Sequence, residues 1–380
     1  MKILCLVARH PLPSPGFGVH GCQGLEWTVR EARCWRRVGV AVSHTTCAPE
    51  SNRYVPNTLR LPLGNAMALV STPLVPIRQR LALLSTHLVV ALVALVVIGG
   101  ATRVMEAGLA CPDWPLCYGS FLPGRQMNVQ VFLEWFHRLD AFVIGIALMV
   151  QLAAAAWWRA QLPRWLLPIS GLLLVLVAAQ GGLGALTVLQ LLPSGVVTAH
   201  LLLALTLVAI VSGCSQLLLA PAEGSAVPAP LWWRALAATS LAAVMGQCLL
   251  GARMATSWAA QRCLEAGQSC QWLHWHRSFA TPAALSVLLL AAVALIAGGW
   301  ARRQWPLLLL ASGLVGAQIA LGVLTLRLGL SQPVVTVAHQ LIASLLVALM
   351  AALLCRRPEA ASQQPLPVVV ESSSLEPAHG

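Results

Sequence analysis

Eight apolar runs of about 20 residues, near positions 81–100, 137–158, 165–189, 195–219, 231–252, 276–299, 305–326 and 333–355, leave this chain few ways to fold. In hydrocarbon every backbone polar group has to be satisfied within the protein, which a helix does by itself. None of the runs alternates in the manner of an outer-membrane barrel strand. Charged residues make up 9% of the 380, against roughly 25% in a soluble domain, and 58% are hydrophobic. The expected fold class is an all-α integral membrane protein with eight transmembrane helices. The formal charge of +12 does not argue for nucleic acid, because Lys2 is the single lysine and many arginines stand beside apolar runs, as charges facing lipid headgroups do.

If the helices alternate, Arg78, Arg80, Arg159, Arg164, Arg234, Arg302, Arg303, Arg356 and Arg357 fall on one side. The positive-inside rule makes that side cytoplasmic, with both termini inside a multi-pass protein of the inner (plasma) membrane. Arg103, Arg125, Arg138, Arg253, Arg262, Arg277 and Arg327 fall on the opposite face and need a separate reason. Residues 1–77 read as an N-terminal extension, disordered or a start-site artefact: "ILCLVA" is too short for a signal peptide, and Met67 opens a stretch leading into the first helix. Residues 356–380, rich in Ser, Pro, Gln and Glu, read as a disordered tail.

The chain carries a duplication. "AQGGLGALTVLQLLPSGVVTAHLLLALTLVA" at 179–209 is repeated as "AQIALGVLTLRLGLSQPVVTVAHQLIASLLVA" at 317–348, so that Gln180, Gly184, Thr187 and His200 match Gln318, Gly322, Thr325 and His339. "FHR" at 136–138 answers "WHR" at 275–277 with the 139-residue offset of His200 and His339. Four helices, an even number, enter and leave on one face, so two parallel-repeated four-helix bundles are expected, over 78–220 and 221–355, with matching residues at matching depth. On this reading His137 and His276 open the second and sixth helices at the outer surface. His200 and His339 lie roughly 8–10 Å deep in the fourth and eighth.

Each half thus holds two histidines on non-adjacent helices around a shared interior, which suits a flat ligand held edge-on. Haem iron takes axial histidine, and bundle cores are where such cofactors sit. One buried histidine can simply bond a neighbouring helix; four repeating in register point to ligands. Arg138 and Arg277, each following its histidine, are candidates for haem propionates, with snorkelling to headgroups as the alternative. Arg103 and Arg253 are weaker candidates of the same kind.

Cys111 and Cys117 lie in the loop after the first helix, and Cys263 and Cys270 in the loop after the fifth. Facing outward, both pairs favour disulfides, with zinc beside His274 as the alternative. No C-x-x-C-H occurs, which argues against covalent haem attachment. Cys214, Cys248 and Cys355 read as packing residues, and His87 as a buried hydrogen-bonding group. His10, His20, His44 and His379 fall in the tails and are assigned no role. Glu134, one turn before His137, becomes Leu273 in the second half. The acid makes the N-terminal half the expected reaction site and the C-terminal half the permanent cofactor site; an acid favoured by a helix N-terminus is the plainer reading.

Taken together, "GGATRVMEAGLACPDWPLCYG" at 99–119, "EWFHR" at 134–138, and "VVTAH" and "VVTVAH" ahead of the fourth and eighth helices resemble the haem A synthase family over about residues 78–355. The resemblance implies an eight-helix membrane oxidoreductase that oxidises the methyl group of haem O to the formyl group of haem A for terminal oxidases. It implies that His137 and His200 bracket the substrate iron, that His276 and His339 ligate the iron of haem b, and that Glu134 assists the chemistry. Cys111 and Cys117 would form the family's outer-loop disulfide, with Cys263 and Cys270 as a second pair. The implied partners are haem O delivered by a haem O synthase, an electron donor of unspecified identity, and membrane lipid; homo-oligomer formation stays open. The rival readings are a di-haem electron carrier of the cytochrome b type and a transporter, which would show broken helices and polar midplane residues.

Overall fold

The fold is described by a computed structural model over residues 76–220 and 227–358. The expectations for residues 1–75 and 359–380 lie outside the described residues. Eight helices are long and apolar enough to cross a membrane: α1 (Pro76–Val104), α2 (Val129–Trp157), α3 (Leu166–Leu189), α4 (Ser194–Leu219), α5 (Leu231–Thr256), α6 (Cys270–Ala297), α7 (Trp305–Arg327) and α8 (Pro333–Cys355). Short helices at Ala259–Ala266 and Gly299–Arg302 lie in the connections, and no β-strand occurs among the described residues.

The helices start further out than hydropathy alone suggests. Asn128 caps α2, its side chain accepting the Val131 N–H at 2.9 Å, so the helix is under way before the apolar run begins. The added turns carry Phe132, Trp135 and Phe136, whose rings pack on one another, with the Phe132 and Phe136 centroids 5.6 Å apart. Counting apolar residues stops at Glu134, Arg138 and Asp140, whereas the backbone does not. His137 and His276 therefore do not open their helices: His137 is the ninth residue of α2, and His276 the seventh of α6. His200 and His339 are likewise the seventh residues of α4 and α8.

α1, α4, α5 and α8 form the centre. α4 touches α1, α3, α5 and α8, and α8 touches α1, α4, α5 and α7, while α2, α3, α6 and α7 lie outside them. Leu88, Leu92 and Val96 of α1, Val208 and Val211 of α4, Trp233 and Val244 of α5, and Leu346, Val347 and Met350 of α8 share one buried cluster. Outward residues such as Phe142, Val143, Ile146 and Val150 on α2 are exposed apolar side chains of the kind lipid covers. Polar pairs tie helices together inside: Ser85 donates to Gln151 Oε1 at 3.2 Å and the Gln151 amide to Ser170 at 3.4 Å, joining α1, α2 and α3. Such contacts are worth about 0.6 kcal/mol each in lipid. Arg78 donates to the carbonyls of Leu217 and Ala220, answering the orphan acceptors at the end of α4.

Gln340, next to His339 on α8, donates its side-chain amide to the Val96 carbonyl of α1 at 3.0 Å. It occupies the place a side chain on Gly100 would need. His87 departs from expectation: it is exposed, and its Nδ1 lies 2.7 Å from the Leu83 carbonyl of its own helix. A polar ring at a lipid-facing position satisfies itself on the nearest backbone acceptor.

Candidate functional site

His137, His200, His276 and His339 each lie within the first nine residues of their helices, and each is partly buried.

Each imidazole rests on a glycine of the preceding helix. A Cβ on Gly99, Gly251 or Gly322 would stand 2.9, 2.9 or 3.0 Å from Cε1 of His137, His276 or His339, and one on Gly184 would stand 3.3 Å from Cε1 of His200. A methyl group at the first three does not fit unless the ring moves. Every one of these glycines is five residues before the last residue of its helix: Gly99 before Val104, Gly184 before Leu189, Gly251 before Thr256, Gly322 before Arg327. One turn earlier stand Gln180, Gln247 and Gln318, their amides against the histidines they face. The signal was in the sequence as "QGGLG", "QCLLG" and "QIALG". Matching only the third and seventh helices left Gly99, Gly251 and Gln247 unnoticed.

Glu134 is buried, with 4% of its surface exposed, and both oxygens are engaged. Oε2 accepts the backbone N–H of Cys111 at 2.8 Å, and Oε1 accepts from Arg138 Nη2 at 2.5 Å. Arg138 Nη1 also donates to the carbonyls of Asp113 and Leu116, at 2.7 and 2.5 Å. Acid and arginine together fasten the Cys111–Cys117 loop to the stretch of α2 that carries His137. Asp113 shapes that loop from within, accepting the N–H groups of Tyr118 at 2.6 Å and Gly119 at 2.8 Å. The Gly119 donor, followed by that of Tyr118, holds the Asp113 carboxyl below its ordinary range. Gly119 sits at φ +67°, where glycine carries no steric cost.

Cys111 is bonded to Cys117 and Cys263 to Cys270, with Cα atoms 4.8 and 4.9 Å apart. With Cys270 so engaged, the zinc reading beside His274 falls. No group of three or more His, Cys, Asp or Glu side chains able to hold a bare metal ion occurs among the described residues. Leu273, in the place of Glu134, is buried and apolar, and Arg277 is exposed where Arg138 is engaged. Arg103 lies over the Trp258 ring at 4.6 Å. Arg253 donates to Ser194 at 2.9 Å and faces Trp272 at 5.7 Å, so both cations are held by groups beyond their own helix. Of the free cysteines, Cys214 is buried in the core cluster, and Cys355 Sγ would stand 2.9 Å from a Cβ on Gly213.

Eight helices long and apolar enough to cross a membrane, four of them carrying a histidine set against a glycine of the preceding helix, define a multi-pass membrane protein. Residues 80–350 match the family described as cytochrome oxidase assembly protein (COX15-CtaA), and the chain belongs to that family. It is 30% identical over 212 residues to the heme A synthase of Chelativorans sp. (strain BNC1), an alignment covering 52% of this chain and 57% of that protein. With the heme A synthase of Shewanella oneidensis it shares 29% identity over 190 residues, 44% of this chain and 54% of the relative. The alignments therefore span little more than half the length of these two relatives. A longer alignment, 30% identical over 329 residues, links it to the heme A synthase of Sphingopyxis alaskensis, covering 70% of this chain and 89% of that protein.

Proposed function

We propose that the protein is a haem A synthase, oxidising the methyl group of haem O to the formyl group of haem A for terminal oxidase biogenesis. The observation that carries this reading is the set of four imidazoles, each seated on a glycine of the preceding helix, in a chain of this family. The donor set fits haem: two imidazoles per half suffice where a porphyrin supplies the remaining iron ligands, and the glycines leave room against each ring. Buried Nδ1 atoms of His137, His200 and His339 have no partner, so hydrogen bonding to a neighbouring helix does not account for these rings.

His276 and His339 hold haem b, and His137 and His200 bracket the iron of haem O. When bound, haem supplies the redox chemistry, and the chain supplies position and charge. Glu134 is the acid of the N-terminal half, with Leu273 opposite it in the second half. Its carboxyl, fixed by Cys111 and Arg138, accepts a proton or steadies positive charge developing at the carbon being oxidised. Arg277, exposed, is the better placed of the two arginines for a propionate; Arg138 would have to share its loop contacts. A haem O synthase delivers the substrate, and a separate donor supplies electrons. The loop-bearing face is the outer one, with both termini cytoplasmic.

A di-haem carrier needs the four histidines but no acid in one half only, and the family favours the enzyme. A transporter is disfavoured by eight spans that each run as one continuous helix. The test is co-expression with a haem O supply and pigment analysis of the purified protein: haem A accumulates if the reading holds. A haem-loaded protein that never yields haem A is the carrier, and a colourless protein is neither.

A further inference from the structure

The connection from α1 to α2 does not stand clear of the helix ends. Three side chains of α2 hold it against the helix: Glu134 accepts the Cys111 N–H, Trp135 Nε1 donates to the Phe121 carbonyl at 2.7 Å, and Arg138 donates to the carbonyls of Asp113 and Leu116. Arg138 is the tenth residue of α2, so the loop lies beside the first three turns. At 1.5 Å per residue the 29 residues of α2 are about 43 Å long, close to the roughly 40–45 Å of a bilayer with its headgroup layers. A loop held at that level shares the depth of the lipid headgroups.

What this loop presents is apolar and aromatic. Phe121 and Leu122 are 66% and 59% exposed, and Trp114 and Tyr118 are exposed as well. Trp135, which holds Phe121, packs on Phe132 and Phe136. These two open an exposed stripe that continues through Val143 and Val150, in steps of four and seven residues that keep to one side of a helix. The patch is thus continuous with the surface that lipid covers on α2. Arg125 is exposed in the turn Gly124–Gln126 that follows Leu122. The second loop differs. Its helix Ala259–Ala266 exposes Gln261, Arg262 and Glu265 beside one large apolar side chain, Leu264, and the Trp258 ring before it lies under Arg103.

We propose that residues 114–125 form a phospholipid-binding element seated in the headgroup layer of the leaflet they border, with Trp114, Tyr118, Phe121 and Leu122 at the edge of the hydrocarbon and Arg125 on lipid phosphate. Tyrosine and tryptophan favour that depth, where an apolar body and a polar tip are both accommodated. A guanidinium beside them meets phosphate oxygens through charge-assisted hydrogen bonds. An uncovered apolar patch is otherwise a place of association, and lipid is the partner that already covers the stripe this one continues. The loop fastened to Glu134 therefore rests in the bilayer surface, whereas the Cys263–Cys270 loop faces water.

The test uses the unmodified full-length protein, one copy per phospholipid nanodisc, with a fraction of the lipid carrying a diazirine in its headgroup. After illumination and digestion, peptides covering residues 114–125 should carry severalfold more lipid adduct than those covering 259–266. Phe121→Ser with Leu122→Ser, and separately Arg125→Glu, should each lower the adducts on the first loop severalfold while leaving those elsewhere unchanged. Hydroxyl-radical oxidation of the same nanodiscs reads water access, and Trp114 and Phe121 should be protected. Equal adducts on the two loops, or adducts indifferent to these substitutions, overturn the inference. So does a first loop without adducts whose Trp114 and Phe121 oxidise readily, which would make the patch a water-facing surface for a protein partner. A first loop that is free of adducts and also protected would be covered by the protein itself, which overturns it as well.

Discussion

Glu134 on α2 accepts the backbone N–H of Cys111 at 2.8 Å, so one carboxyl both stands a turn from His137 and anchors a disulfide loop. The two duties separate by substitution. Glu134→Gln keeps an oxygen for Cys111 and should retain bound haem b and normal thermal stability while abolishing haem A formation. Glu134→Ala also leaves Arg138 and the Cys111 N–H short of a partner and should cost about 2–3 kcal/mol in addition. Pigment extraction and thermal melting read the two effects. Haem A made at the normal rate by Glu134→Gln would remove the catalytic assignment.

The glycine seats predict a graded series. Gly251→Ala and Gly322→Ala push a methyl group to 2.9 and 3.0 Å from Cε1 of His276 and His339, and should deplete the retained haem with a loss of about 1–3 kcal/mol. Gly99→Ala should spare that haem and impair only the N-terminal site. Gly184→Ala, at 3.3 Å from His200, should be the mildest of the four. Haem content per polypeptide ranks them, and equal losses across the series would count against the seats.

The two disulfides should differ in consequence although they close similar loops. Each is worth about 2–3 kcal/mol on loop-closure grounds. Only the Cys111–Cys117 loop is also fastened to Glu134 and Arg138. Cys111→Ser with Cys117→Ser should therefore lower haem A yield severalfold, whereas Cys263→Ser with Cys270→Ser should lower melting temperature with little effect on yield.

Asp113 sets the acid limit of that loop. Because hydrogen bonds from Gly119 and Tyr118 depress its carboxyl in the folded state, its contribution is complete above the unfolded value of about 3.9 and fades as pH falls through the lower folded value. Access of a phosphine reductant to Cys111–Cys117 should stay flat from about pH 8 to pH 5 and rise in stronger acid. Asp113→Asn should raise it at neutral pH.

Much of this was readable beforehand because a membrane span is a long signal. Twenty apolar residues announce themselves, and so do His137, His200, His276 and His339 against such a background. Helix starts were misjudged where Asn128 caps α2 ahead of charged residues, since a cap is a local hydrogen bond that hydropathy does not register. Gly99 and Gly251 escaped notice because a seat is a relation between two helices, fixed by how they rotate about their axes. His87 was placed inside for the same reason. The cations Arg103 and Arg253 found aromatic and hydroxyl partners on other elements, which sequence order does not disclose.

Gly99 receives the ring of His137, and Gly100, the very next residue, receives Gln340, the neighbour of His339. Two successive positions on a helix point about 100° apart, so α1 seats the ring carried by α2 with one side and lodges the amide carried by α8 with the next. Any rotation of α1 about its axis would therefore disturb two histidine-bearing helices at once.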